Sequence, residues 1–348
     1  MKAKISTMQH HKKTWPALAI ALGLLLLFFF VSLNIGKVQV NFTDMVALLA
    51  QKFNGAELSN DLETLQKQIV FFNVRIPRSL LAVAVGAALS IAGAVMQTLY
   101  RNPLASPDVL GVTQAANFGV GVAIFFFSAG TLLIQCISFI FGVAALLFTF
   151  ALVSRIPGKS VTALVLIGVI ISALFQAGLT LMLYLSDPYS EMLRINYWLM
   201  GAFNTSNWQN VAIVLPTVIV GSFVLCCFSW RLNVLGQSDE EAQALGINLK
   251  LWRFIYIIFV ALIVSISTAA VGNISWVGLI IPHIARFFVG NDQRNVIPFA
   301  GILGALMLLI IDTIVRNIPS GEIPISVITS FIAAPFLGVM IFKKRGSW

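Results

Sequence analysis

Apolar runs of roughly the length that crosses a bilayer, about 20 residues, recur along this chain, and they restrict its fold more than any other feature. Ten can be placed: Trp15 to Ile35, Ser79 to Tyr100, Val109 to Ser128, Leu132 to Val153, Val161 to Leu185, Val211 to Ser229, Phe254 to Val271, Trp276 to Val289, Val296 to Val315 and Ile323 to Phe342. The 348 residues are 59% hydrophobic and 10% charged, well below the roughly 25% charged usage of soluble domains. A water-soluble core cannot absorb that composition. A bilayer can, provided each span satisfies its own backbone hydrogen bonds, which selects helices. The expected fold is therefore all-α: a polytopic membrane protein of about ten transmembrane helices, forming one domain over residues 1–348. Pro282 inside the short eighth run predicts a broken or tilted helix there.

The charges fit that topology. With the N-terminus inside, 15 of the 22 Lys and Arg residues fall in inner segments, leaving Lys37, Lys52, Lys67, Arg75, Arg78, Arg194 and Arg316 outside. Such a bias orients both termini to the cytoplasm. The net charge of +9 is spread among loops and not gathered on one face, so it does not indicate nucleic acid. The first run follows Lys12 and Lys13 but has no small-residue cleavage site, and reads as a retained helix rather than a signal peptide. Cys136, Cys226 and Cys227 lie in apolar runs without metal-ligand spacing.

Two interruptions carry local signals. The longest inner loop, about 230–253, contains Ser238, Asp239, Glu240 and Glu241, a capping-box pattern that should start a short surface helix through Leu245, with Gly246 placed to stop it. That helix could be a docking knob or an ordinary solvated connection. In the outer loop, about 36–74, and at the outer helix ends, Arg75, Arg78 and Arg316 stand against the charge bias. Exposed there, they could grip carboxylates of a partner or snorkel to lipid headgroups. Asp312 sits one turn before Arg316, a spacing that allows an ion pair or a proton relay. Pro157-Gly158-Lys159-Ser160 imitates the end of a phosphate-binding loop, but position 153 is Val where that loop needs Gly, and no strand precedes it.

Two blocks of residues resemble one family. The first contains Arg75-Ile76-Pro77-Arg78, Val85-Gly86-Ala87-Ala88, Gly93, Gln97, Arg101-Asn102-Pro103-Leu104-Ala105, Pro107 and Leu110-Gly111-Val112. The second runs from Val277-Gly278-Leu279 through Pro282-His283-Ile284-Ala285-Arg286, Gly290, Asp292, Asp312, Arg316 and Glu322-Ile323-Pro324 to Ala334-Pro335-Phe336. Together they resemble the FecCD-type permeases of ABC importers for iron-siderophores, haem and cobalamin. The resemblance implies the type II importer permease fold in an inner membrane. It implies a second permease copy, identical or different, around a central pathway. Two cytoplasmic ATP-binding cassette subunits would lie below and an extracytoplasmic substrate-binding protein above. No cofactor is expected in this chain, since ATP and Mg would sit on the ATPases.

By the same resemblance, Ser238 to Glu241 with Ala244, Leu245 and Gly246 form the coupling region. Arg75, Arg78 and Arg316 match positions that receive acidic residues of the binding protein. Asn102, Leu104, Val161 and Thr162 would lie near the cytoplasmic gate. The fifth helix would line the pathway, and on it Ser172, Gln176 and Thr180 share one face at i, i+4, i+8, suited either to passage or to helix–helix hydrogen bonding. Ser106-Pro107-Asp108, Asp187-Pro188-Tyr189 and Trp198-Leu199-Met200-Gly201 resemble a subgroup that also includes molybdate and tungstate permeases. A metal chelate is the expected cargo and an oxyanion the alternative. An ion-coupled secondary carrier is the rival class, and it would need more intramembrane ionisable groups than this chain has.

Overall fold

The computed structural model describes residues 2–53, 61–107, 111–128, 130–155, 161–318 and 323–343. Asp108, Leu110, Pro157 to Ser160, Glu322, Lys344 and Arg345 lie outside the described residues, as do the side chains of Val161 and Thr162. Among the described residues all regular structure is helical. In chain order the helices are α1 (Lys2–Asn34), α2 (Phe42–Phe53), α3 (Leu62–Ile69), a π-helical stretch (Val70–Arg75), α4 (Ile76–Leu99), α5 (Val112–Phe127), α6 (Thr131–Ser154), α7 (Val161–Leu185), α8 (Glu191–Leu199), α9 (Trp208–Cys227), α10 (Ser229–Leu235), α11 (Asp239–Ala244), α12 (Leu249–Val271), α13 (Val277–Val289), α14 (Gln293–Val315) and α15 (Ile325–Lys343).

Each of the ten apolar runs becomes a helix, but they are not equivalent. Among the described residues, seven helical stretches are long and apolar enough to cross a membrane, whereas Val112–Phe127, Val277–Val289 and Ile325–Val339 are shorter. At 1.5 Å per residue the 13-residue α13 reaches about 20 Å, short of a hydrocarbon layer of about 30 Å. It begins inside the bundle, where Gly278 in its first turn meets Gly93, about three-quarters of the way along α4. The irregular backbone leading to it, Asn273 to Trp276, lines a cavity of about 300 Å³ between the helices, a setting in which a bilayer tolerates non-helical backbone.

The helix containing α4 is the axis of the molecule. In the 38-residue stretch Leu62–Leu99, 78% of the apolar window is buried, against 22% in Val165–Leu185 of α7. Its neighbours α14, α13, α9 and α12 pack around it. Close approach depends on glycine pairs: a methyl built on Gly86 would overlap the carbonyl of Gly304, and one on Gly93 that of Gly278. Bilayer helices lack a hydrophobic drive toward one another, so such small-residue contacts supply the dispersion that holds them.

Two prolines are accommodated by identifiable means. Of the broken or tilted helix expected at Pro282, the break does not occur; α13 runs through it. A proline has no N–H for the carbonyl four residues back, here Gly278. Gln97 of α4 fills that vacancy, its amide donating to Gly278 O at 3.4 Å and Leu279 O at 3.0 Å, while its own oxygen accepts from Arg286 at 2.5 Å. Ahead of Pro77 the backbone widens into the π stretch, which lets one continuous helix pass through Pro77 where the sequence suggests a start at Ser79. Much of the expected outer loop 36–74 is therefore helix, in α2, α3 and the π stretch.

Candidate functional site

The conspicuous feature of one face is α11. Its start follows the sequence signal: the Ser238 hydroxyl accepts from the Glu241 N–H at 3.2 Å, and the Glu241 carboxylate accepts from the Ser238 N–H at 3.3 Å. Asp239, Glu240 and Glu241 occupy the positive first turn. At the other end Ile247 N–H bonds to Ala242 O and Gly246 N–H to Gln243 O, the doubled bond pattern that closes a helix through a left-handed residue. Gly246 has φ +76 there, which a side chain would strain. Ala242 is fully buried and anchors the helix, while Glu240, Glu241, Ala244 and Gly246 are exposed and Leu245 is 67% exposed at the tip. A rigid polar helix with one uncovered apolar tip suits insertion into a groove on another protein.

Asp239 departs from this outward set. Its carboxylate accepts from Arg253 of α12 at 2.8 Å and from Arg101, just past the end of α4. Those bonds, Arg253's first, hold its pKa below the ordinary carboxylate value. The link is therefore intact at neutral pH and is lost as pH falls through that depressed value. Asp239 ties α11 to the central helix and to α12, a junction that no local sequence signal marks because its members lie far apart in the chain. Asp239→Ala should leave α11 folded but loosen it from α4 and α12, so that limited proteolysis of the loop around α11 speeds up about tenfold or more while the helical circular-dichroism signal of the purified chain is unchanged; comparing the two measurements checks this.

On the same face Asn102 and Leu104 form a local turn, the Leu104 N–H donating to Asn102 Oδ1 at 2.9 Å, and leave Leu104 48% exposed. Along α7, Ser172 is half-buried and Gln176 and Thr180 are exposed on one strip. The Thr180 hydroxyl donates to Gln176 O at 2.9 Å within its own helix. The strip also carries the exposed Val169 and Leu166.

The opposite face corrects an expectation. Arg75, Arg78 and Arg316 are not exposed; they are 3%, 4% and 7% accessible. The reason is the C-terminus of α1, whose last carbonyls have no intrahelical donor. Arg75 donates to Leu33 O at 2.6 Å, Asn34 O at 3.1 Å and Val38 O, lying across Gly36, where any side chain would collide with it. Arg316 donates to Ser32 O. Two cations thus cap the negative end of one helix. Arg78 makes a buried ion pair with Asp312 at 2.8 Å, a partner for Asp312 that lies 234 residues away and that helical spacing could not show. None of the three arginines presents an open guanidinium to a partner.

A family model described as the FecCD transport family matches residues 24–343. The molybdate import system permease protein MolB of Haemophilus influenzae is 38% identical over 336 residues, covering 96% of this chain and 98% of that one. An iron chelatin transport system permease protein of Helicobacter pylori is 34% identical over 278 residues, covering 80% of this chain and 84% of its own. Among solved structures, a metal-chelate type ABC transporter in an inward-facing conformation matches with a TM-score of 0.83 and 35% identity, covering 94% of this chain and 98% of that one.

Proposed function

The chain belongs to the FecCD transport family, as the permease of an ABC importer, and we propose that it carries an oxyanion of the molybdate and tungstate type across the cytoplasmic membrane. The observation that supports this cargo is the MolB match, which takes in nearly the whole of both chains, whereas the iron chelatin relative matches 80% of this one. A metal chelate is the second reading, favoured by the likeness to a metal-chelate type transporter over 94% of the chain. The uncharged Ser172, Gln176 and Thr180 suit either cargo, since a pathway must release what enters it.

In this reading both termini are cytoplasmic, α11 faces two ATP-binding cassette subunits, and a second permease copy covers the exposed strip of α7. ATP and Mg reside on the ATPases. Their closure moves α11, Asp239 passes that motion to α4 and α12, and the pathway opens toward a binding protein outside. Alternating access of this kind requires only that the ligands bind the two states unequally. Asn102, Leu104, Val161 and Thr162 would close the cytoplasmic end. Arg75, Arg78 and Arg316 would support the outer docking face from within.

The test is uptake into vesicles holding the permease with its ATPases. Molybdate, tungstate and a ferric chelate are each presented by the cognate binding protein. ATP-dependent accumulation of molybdate or tungstate is expected. Uptake of the chelate alone would transfer the function to the second reading, and uptake driven by an ion gradient without ATPase would refute both.

A further inference from the structure

The short α13 starts inside the bundle, and its first turn borders the cavity of about 300 Å³ that Asn273 to Trp276 line. Trp276, the residue before the helix, is left-handed with φ +75, and its carbonyl accepts from the N–H groups of both Leu279 and Ile280 at 3.0 Å. Its side chain makes no cap. The N–H groups of Val277 and Gly278 are left without an acceptor among the described residues. The positive end of the helix therefore meets a cavity among apolar helices, where its field is weakly screened.

A second, independent observation comes from α5. Thr113, in the first turn of that helix, lines the same cavity, is 2% accessible, and has a buried hydroxyl with no hydrogen-bond partner. Such a hydroxyl is costly to bury unless something in the cavity accepts from it. Thr268 of α12 and Ser275 add further hydroxyls to the lining. The carbonyls nearby are already engaged: Asn273 O accepts from the Ser326 hydroxyl at 2.5 Å, and Gly278 O from Gln97. No Asp or Glu is among the described residues that line the cavity.

Donors that converge without an opposing carboxylate make an anion site of the kind that helix N-termini build. We propose that a tetrahedral oxyanion of the molybdate and tungstate type pauses here during passage, held by the α13 N-terminus and the Thr113 hydroxyl. The inference rests on the oxyanion reading above and gives that cargo a place in the chain. Size favours the class, because the cavity lies at the bottom of the roughly 300–1,000 Å³ range of small-molecule sites, enough for one tetrahedral ion with some water but not for an iron chelate in its organic shell. The described lining also holds no Lys or Arg, which keeps the hold weak enough for release.

The experiment measures tungstate binding to the full chain in lipid nanodiscs, purified without the ATPases because their nucleotide sites would bind the same anion. Equilibrium dialysis with metal analysis should show saturable binding that molybdate competes away and chloride at equal ionic strength does not. Thr113→Val keeps the side-chain shape and breaks no existing hydrogen bond, so its unfolding midpoint without anion should match wild type while tungstate affinity falls about tenfold. Thr113→Ser, which retains the hydroxyl, should bind nearly as wild type does. Thr149→Val is the control: that hydroxyl is equally buried and unpartnered but sits on α6 outside the cavity lining, and its loss should leave affinity unchanged. No saturable binding to wild type, equal affinity for Thr113→Val, an equal loss from Thr149→Val, or equal competition by chloride would each overturn the site. Vesicle uptake by the complete importer separates this failure from that of the cargo reading. If molybdate accumulates while Thr113→Val binds tungstate as wild type does, only the site fails. If a ferric chelate accumulates and no oxyanion does, the cargo reading fails and this inference with it.

Discussion

Asp312→Ala should destabilise the folded permease by about 3–5 kcal/mol, the cost of leaving a buried charge without its counter-ion. Asp312 is wholly inaccessible and its partner Arg78 is 5% exposed in its side chain, so water cannot take over either role. The pair also joins α14 to α4, the two helices whose glycines meet at Gly86 and Gly304. Thermal unfolding of the detergent-purified complex should show a lower midpoint for Asp312→Ala and a smaller drop for Asp312→Asn, which retains an acceptor for Arg78. Removing both partners together, as Arg78→Met with Asp312→Leu, should cost less than Asp312→Ala alone, because no charge is then stranded. An unchanged midpoint for Asp312→Ala would show that the pair is not holding these helices together.

A comparable loss is expected from Gly93→Val. The added side chain would meet the backbone carbonyl of Gly278, and backbone cannot rotate away as a side-chain tip can. Overpacking of a filled core costs about 1–3 kcal/mol where neighbours can shift, and more where they cannot. Here relief requires α13 to move off α4, and that movement breaks the Gln97 bonds that replace the proline-deleted one. Transport should fall further than stability, because α13 begins inside the bundle and its position depends on this contact. Gly23 on α1 is the control: nothing lies within 4 Å of the methyl it would acquire, so Gly23→Val should leave both uptake and unfolding midpoint near wild type. Equal behaviour of the two variants would mean that the glycine contact is not a packing constraint.

The capped helix α11 is legible in the amino-acid sequence by itself. Ser238 and Glu241 sit three residues apart, Gly246 follows, and every bond involved is local, so spacing alone specifies it. The apolar spans are legible for a similar reason, since the bilayer imposes length and composition on each one separately. Three kinds of feature are not. Short amphipathic α2, α3 and α8 carry too little apolar length to stand out, although Asp61 accepting from the Thr64 N–H is a cap of the usual kind. The lengths of α5 and α13 depend on how deep their first turns lie in the bundle. Above all, the burial of Arg75, Arg78 and Arg316 runs against their expected exposure, because residue type and chain position show that a cation lies near a membrane surface but not which helix end it faces.

The division has a physical basis. Composition, spacing and the Lys/Arg bias determined a membrane bundle of helices with a capped knob in one loop, because each of these depends on interactions within a few turns of chain or on transfer into lipid. Only the tertiary structure decided where the charges go. Asp312 finds Arg78 across 234 residues, Arg75 and Arg316 close the carbonyl end of α1, and Asp239 ties its helix to α4 through Arg101. A buried charge must be matched by whatever the fold brings within about 3 Å, and distance along the chain does not constrain that choice.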